Sequence, residues 1–354
     1  MEIHAIDHVE LFVDDLKSAA GHLCDSYGFA VTGRGGPDTG LAGCESLLLR
    51  QHDITLLLTA ALDPAHRAAQ YVRRHGDGVA VLGLAVDDAE DSFATAVERG
   101  AEPVAPAEHR AGGVAFASVG GFGDVEYRFT SRTDPAGPFA PGIIEEFGNG
   151  PAFVGALRAI DHFAVCVPAG RLAETVRRHR EVFGFEQTFE EVIIVGGQSM
   201  ISKVVQSPSR AVTLTVIEPD TTREPGQIDR FLAAHDGAGV QHVAFLADSI
   251  TRAVRECERQ GVRFLDTPAA YYSQLPGRLG DVGVPLEELR ELNILADRDQ
   301  RGVMLQIFAA SRHDRGTLFY ELIERRGART FGSNNIKALY EAIERHPTDQ
   351  VGRA

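Results

Sequence analysis

The stretch AIDHVELFVDDLKSAAGHLCDSYGFAV (residues 5–31) decides the fold, because the chain writes it a second time. Ile6, His8, Glu10 and Phe12 alternate with Asp7, Val9, Leu11 and Val13, the pattern of a short strand with both faces partly apolar. Asp14 or Asp15 can cap a helix running to Tyr27, and Gly28 ends it. The same order returns at 159–186: AIDHFAVCV, a helix through RLAETVRRHREVF, then GFE. Asp7-His8 corresponds to Asp161-His162, and Gly28-Phe29 to Gly184-Phe185.

A second pair lies inside the first. GDGVAVLGLAVDDAEDSFATAVERGAEPV (76–104) matches GAGVQHVAFLADSITRAVRECERQGVRFL (237–265), each a strand, a helix of about four turns and a glycine before the next strand. One such match is generic. Four units in matching order mark an internal repeat. Aligning the halves sets Val81 against His242, and VEYRFTSR (125–132) against LFYELIER (318–325) sets Arg128 against Glu321. The N-terminal half therefore keeps His8 but lacks counterparts of His242 and Glu321. Chemistry is expected in the C-terminal half only. The halves join in TDPAGPFAPGIIEEFGNGPAF (133–153), whose prolines and glycines suit an exposed connection, giving expected domains of 1–150 and 151–354.

Composition narrows the classes. A net charge of −15 argues against nucleic-acid and anionic-membrane partners. No apolar run approaches transmembrane length, and MEIHAIDHVELFVDD lacks the basic-then-apolar order of a secretory signal, so a cytoplasmic protein is expected. Cys24, Cys44, Cys166 and Cys257 form no CxxC pair and read as reduced, mostly buried thiols. RGG (34–36) and GGFGD (120–124) are turn material, since neither joins a strand to a helix as a phosphate loop does.

The repeated strand-helix units resemble the vicinal-oxygen-chelate superfamily, whose βαβββ modules pair into half-open barrels around a metal. The resemblance implies an α+β, glyoxalase-like fold: four βαβββ modules forming two half-open barrel domains. His162, His242 and Glu321 then fall on neighbouring strands, two imidazoles and a carboxylate with open coordination positions left over. A lone strand histidine is more often a hydrogen-bonded core residue, and a lone glutamate is often a surface residue. The repeat is what singles these three out. Iron(II) suits the set better than zinc, and one carboxylate leaves a divalent ion one net positive charge for an anionic chelating substrate. His52, His66, His75, His109, His179, His235, His313 and His346 sit in polar or helical contexts and are expected to be solvated.

GAGVQH (237–242), LADRDQRGVMLQIF (295–308), FYELIERRG (319–327) and FGSNNIKALYEAIE (331–344) together resemble the 4-hydroxyphenylpyruvate dioxygenase family over nearly the whole chain. That resemblance implies Fe(II) held by His162, His242 and Glu321, O2 as co-substrate, and 4-hydroxyphenylpyruvate as a small-molecule substrate. The substrate is itself the keto acid, so no 2-oxoglutarate is needed. One branch of the family hydroxylates the ring and forms homogentisate. The other hydroxylates the benzylic carbon and forms 4-hydroxymandelate. Where the first usually carries proline and asparagine, this chain has Thr215 and Ile217 in TLTVIEPD (213–220). Where it carries an aromatic in the tail, this chain has Ile336. Both substitutions resemble the benzylic branch. Asn334 departs from the small residue expected there.

Further roles follow by position. Ser202 and Thr215 are candidates to hydrogen-bond the acid or the ring hydroxyl, and Gln306 to make a polar substrate contact. Gln227 and Gln241 are expected to orient ligating groups. Phe308, Phe319 and Phe331 either wall an apolar pocket or simply pack the core. Ile336, Leu339, Tyr340 and Ile343 form one apolar stripe of a tail helix at about 334–345, expected to dock as a lid behind the Glu321 strand. A homodimer through the N-terminal half is compatible with the resemblance.

Overall fold

The computed structural model describes residues 1–148, 155–313, 315–332 and 335–338. The first half runs β1 (Ile3–Phe12), α1 (Leu16–Tyr27), β2 (Ala30–Gly35), β3 (Cys44–Gln51), β4 (Ile54–Ala61), α2 (Arg67–His75), β5 (Gly78–Val86), α3 (Ala89–Glu98), β6 (Pro103–Arg110), β7 (Val114–Phe122), β8 (Val125–Arg132) and β9 (Glu145–Glu146). The second runs β10 (Leu157–Cys166), α4 (Leu172–Glu181), β11 (Glu186–Val195), β12 (Gln198–Gln206), β13 (Thr213–Pro219), α5 (Gln227–His235) and β14 (Gly239–Ala247). It continues through α6 (Ile250–Arg259), α7 (Ala269–Leu279), α8 (Leu286–Glu291), β15 (Leu295–Arg298), β16 (Val303–Phe308) and β17 (Phe319–Arg326).

Local chemistry starts and stops these elements where the sequence places the signals. The Ser18 N–H donates to the Asp15 carboxylate (2.9 Å), so Asp15 is the cap of α1. Gly28, at φ 78°, closes that helix in the left-handed conformation a side chain would resist. β14 (GVQHVAFLA) is buried along almost its whole length, as a strand covered on both faces must be.

The strands form two sheets, ordered β6-β7-β8-β5-β1-β4-β3-β2-β9 and β11-β12-β13-β10-β14-β17-β16-β15. Within each module the first strand lies parallel to the last: β1 with β4, β5 with β8, β10 with β13, β14 with β17. The first strands of paired modules then meet antiparallel, β1 on β5 and β10 on β14. This is the α+β fold of four βαβββ modules that the repeat implies. The fourth module carries an insertion the repeat does not foresee, α7 and α8, between its helix and its second strand.

Aromatic side chains fill the seam between the two halves. Phe245, fully buried, lies 5.9 Å from Phe29 and 5.3 Å from Tyr320 between ring centroids. Truncating it to alanine would cost about 3–5 kcal/mol. Gln51 ties the seam with its side chain, donating to the Tyr27 carbonyl (2.7 Å) and accepting from the Leu157 N–H (2.7 Å). The expectation of solvated histidines fails here. His75, His179 and His235 are buried, because their helices turn those positions onto the seam. His75 stacks on His235 with centroids 4.3 Å apart, and His179 Nε2 accepts from the Tyr127 hydroxyl (2.6 Å). His52 and His109 are exposed as expected. His346, and the stripe residues Leu339, Tyr340 and Ile343, lie outside the described residues. So do the connecting residues 149–154 and most of the expected lid, of which 335–338 are described and helical.

Candidate metal centre

Strand register builds the centre. Ala244 on β14 pairs with His162 on β10 and with Glu321 on β17, so these three share one face. His242, two residues before Ala244, shares it too. The ligand-type atoms of His162, His242 and Glu321 all lie within 4.8 Å of one another. His242 Nε2 is 3.3 Å and His162 Nε2 3.5 Å from Glu321 Oε2, long for hydrogen bonds. Ligands at about 2.1 Å and right angles on one ion sit roughly 3 Å apart, close to this spacing. Two nitrogens and one carboxylate oxygen, all buried, suit a divalent transition metal.

Two β-bulges aim neighbouring side chains at the same place. The register skips Asp161 between Ile160 and His162, and skips Gln241 between Val240 and His242. Asp161 Oδ1 thereby reaches His162 Nδ1 (2.8 Å) and leaves Nε2 for the centre. Arg325 clamps Asp161 with two bonds, Nε to Oδ2 (2.6 Å) and Nη2 to Oδ1 (2.7 Å), and its Nη1 donates to the Thr330 carbonyl (2.8 Å). The guanidinium lies 5.2 Å from the Phe331 ring centroid, and that ring meets His162 edge-on at 5.3 Å. Asp299 fixes the same segment by accepting from the Arg329 (2.6 Å) and Thr330 (2.9 Å) N–H groups.

Burial would raise the Glu321 carboxyl, but the His162 and His242 imidazoles hold it down to about 2. Burial presses His162 down, yet Glu321 and Asp161 lift it to about 9. His242 is lowered, burial outweighing Glu321. The carboxylate is thus charged and paired with a protonated His162, whose Nε2 proton a bound cation would displace.

A cavity opens on the three residues. Ile217, Ile336, Phe308 and Phe331 supply its apolar wall, and Thr215, Gln241 and Gln306 its polar one. Thr215 Oγ1, Gln227 Nε2 and His242 Nδ1 are buried without a protein partner among the described residues.

Residues 159–275 match the family described as the Glyoxalase/Bleomycin resistance protein/Dioxygenase superfamily, and 43–137 that described as Hydroxyphenylpyruvate dioxygenase, HPPD, N-terminal. A probable 4-hydroxyphenylpyruvate dioxygenase 2 of Aspergillus fumigatus is 32% identical, over 97% of this chain and 94% of its own. The chain belongs to the 4-hydroxyphenylpyruvate dioxygenase family. The 4-hydroxyphenylpyruvate dioxygenase of Xenopus tropicalis is 31% identical, over 98% of this chain and 91% of its own. A solved structure of a triply substituted 4-hydroxymandelate synthase from Streptomyces coelicolor is 43% identical with a TM-score of 0.90, covering 98% of this chain and 100% of that one.

Within this 4-hydroxyphenylpyruvate dioxygenase family member, the residues expected at the site fall in three groups. Those named above as ligand-type groups or cavity walls come together. Phe319 stands behind His242, its ring 4.9 Å from the imidazole, rather than on the cavity. Ser202, opposite Ile217 in the β12–β13 register, and Gln227, at the start of α5, are buried outside the cavity lining. Gln306 lines the cavity with both amide atoms engaged, Nε2 by Glu321 (2.8 Å) and Oε1 by Asn335 (2.8 Å). Sequence reasoning does not single out Asp161, Arg325, Asp299 or Asn335 as site residues. The retained Asp-His pair and the arginine ending both VEYRFTSR and LFYELIER carry a signal for the first two.

Proposed function

We propose that this chain is a ferrous-iron oxygenase that converts 4-hydroxyphenylpyruvate and O2 to 4-hydroxymandelate and CO2. The observation that carries the choice of product is the cavity wall facing the candidate centre, where Ile217 and Ile336 stand together. Iron(II) held by His162, His242 and Glu321 would supply chelation of the keto acid and activation of dioxygen. The keto acid delivers the electrons through its own decarboxylation, so no 2-oxoglutarate enters. The chain's own groups do the rest. Asp161 keeps the His162 proton on Nδ1, Thr215 Oγ1 has hydrogen-bonding capacity free for the substrate, and Phe308 and Phe331 exclude water from the reacting atoms.

Placement decides which carbon is oxidised, since displacements of about an ångström change rates by orders of magnitude. An aromatic at 336 would press the substrate ring, whereas the Ile336 side chain leaves the ring room to swing and present its benzylic carbon. Ile217 offers no amide to hold the ring hydroxyl in the alternative pose. The identity to a 4-hydroxymandelate synthase, higher than to the two dioxygenases, supports the same reading.

The second reading is homogentisate formation, favoured by the dioxygenase relatives. The two products are isomers of equal mass, so chromatography against both reference compounds tells them apart after iron-loaded protein has reacted with 4-hydroxyphenylpyruvate and O2. Hydroxymandelate as the main product is expected. Homogentisate as the main product would sink the leading reading.

A further inference from the structure

Glu321 offers the two imidazoles one oxygen, Oε2, and turns Oε1 into a chain of side chains that runs through buried Gln306 and Asn335 to half-buried Tyr271. Oε1 accepts from Gln306 Nε2 (2.8 Å), Gln306 Oε1 accepts from Asn335 Nδ2 (2.8 Å), and Asn335 Oδ1 accepts from the Tyr271 hydroxyl (2.8 Å). The Tyr271 oxygen in turn accepts from the Ala296 N–H (2.8 Å) and from Arg278 Nη2 (3.1 Å). The Tyr271 hydroxyl also lies 2.7 Å from the Ala296 carbonyl, but Arg278 Nη2 serves that carbonyl too (2.9 Å), so the single tyrosine proton can go to Asn335, which has no other donor in the chain of contacts.

Every link has one permitted sense. An ionised carboxylate only accepts, so the Gln306 NH2 must face Glu321 and its oxygen must face Asn335. The Asn335 NH2 must then face Gln306, and its oxygen needs the tyrosine O–H. Gln306 is 2% and Asn335 0% exposed, so solvent does not substitute for a missing link. Gly332 makes the approach possible. A Cβ there would come within 2.7 Å of Gln306 Oε1 and 3.2 Å of Asn335 Nδ2, and its φ of +66° disfavours any other residue. Its carbonyl also accepts the N–H groups of Asn335 (2.8 Å) and Ile336 (2.9 Å), starting helical residues 335–338.

We propose that Asn335 is a positioning residue for Glu321. Through Gln306 it holds Oε1 away from the centre, so the carboxylate presents Oε2 alone, and the same contacts seat the turn carrying the wall residue Ile336. The proposal rests on the reading of His162, His242 and Glu321 as ligands to an ion. It makes the orientation of the carboxylate and the placement of the substrate wall one event. It also gives Tyr271, which does not line the cavity, influence over the ligand.

Calorimetric titration of the metal-free, full-length protein with cobalt(II) tests this without recourse to turnover. Asn335→Asp keeps shape and packing but sets an acceptor-only group against Gln306 Oε1, so that either orientation of the amide leaves its oxygen facing a carboxylate. It is expected to weaken cobalt binding by about 10–100-fold, the effect of disturbing a group that orients a ligand. Tyr271→Phe, which keeps the ring, is expected to weaken it in the same direction by less. In a Gln306→Leu background, Asn335→Asp should add little, because the two act through one bond. Cobalt affinity within about twofold of wild type in both Asn335→Asp and Tyr271→Phe would reduce Asn335 to a helix-capping role and overturn the proposal. Full additivity of the Gln306 and Asn335 effects would overturn it too. Failure of the wild type itself to take up cobalt would remove this assignment together with the centre beneath it.

Discussion

His8 and His162 occupy the same place in their modules, and the groups behind them are the same. Asp7 holds His8 Nδ1 at 2.7 Å as Asp161 holds that of His162, from a bulge at the same point of the strand. Arg132 grips Asp7 through Nε (3.0 Å) and Nη2 (3.2 Å), donates to the Phe139 carbonyl (2.6 Å), and lies 5.3 Å from the Phe139 ring, which meets His8 edge-on at 5.0 Å. Arg325, Thr330 and Phe331 repeat that corner around His162. In front of the histidines the halves part. Where the second has Ala164, His242 and Glu321, the first has Glu10, Val81 and Arg128. Arg128 Nη1 lies 2.8 Å from Glu10 Oε2 and 3.3 Å from His8 Nε2, and Thr59 donates to Glu10 Oε1 (2.8 Å). An arginine cation of the chain itself occupies the place equivalent to the candidate centre. The Asp-His-Arg-aromatic corner therefore belongs to the module, and the capacity for a metal rests on the residues in front of it.

That contrast can be broken in four ways. Ala164→Glu with Glu321→Arg copies the N-terminal arrangement into the C-terminal half. The variant should fold yet lose bound iron and turnover together, read by metal analysis and product assay; retained iron would remove Glu321 from the ligand set. Val81→His with Arg128→Glu instead gives the N-terminal half the two ligand types it lacks, and elemental analysis should rise from one bound divalent ion per chain toward two. A stoichiometry unchanged in a folded variant would mean that ligand residues alone do not make the site.

Asp161→Asn should weaken metal binding about 10–100-fold, whereas Asp7→Asn should leave it unchanged and lower stability by roughly 3–5 kcal/mol, because Arg132 loses its buried partner. Burial raises the Asp7 carboxyl, but His8 and Arg132 hold it well below the ordinary value of about 3.9. Its contribution is therefore complete above about pH 4 and fades as the pH falls below that. The gap in melting temperature between wild type and Asp7→Asn should be wide at neutral pH and narrow in acid. A constant gap would put the loss down to packing. The smallest expected effect is that of Ile336→Phe, a shift of the product ratio toward homogentisate with metal content unchanged. An unaltered ratio would mean that residue 336 does not steer the ring.

The fold is legible in the chain because it rests on periodicity and repetition, which a sequence states directly; the grouping of His162, His242 and Glu321 follows once the resemblance to the vicinal-oxygen-chelate fold sets them on neighbouring strands. The βαβββ order survives even the insertion of α7 and α8. What is not legible depends on departures from regular pairing. A strand of strict alternation would point Gln241 away from His242, and only the bulge brings both to one cavity. The commitment of Gln306 to Glu321 and Asn335 needs the meeting of β16, β17 and a turn 29 residues along the chain from Gln306. The buried His75, His179 and His235 escape a sequence reading because their polar helices have a second partner, the other half of the molecule, which local context does not show.

The most direct test of the account is the mass of the product formed from substrate deuterated at the four ring carbons that carry hydrogen. Benzylic hydroxylation leaves the ring untouched, so the account predicts 4-hydroxymandelate carrying four deuterium atoms. A product carrying three, as ring hydroxylation to homogentisate requires, would contradict it.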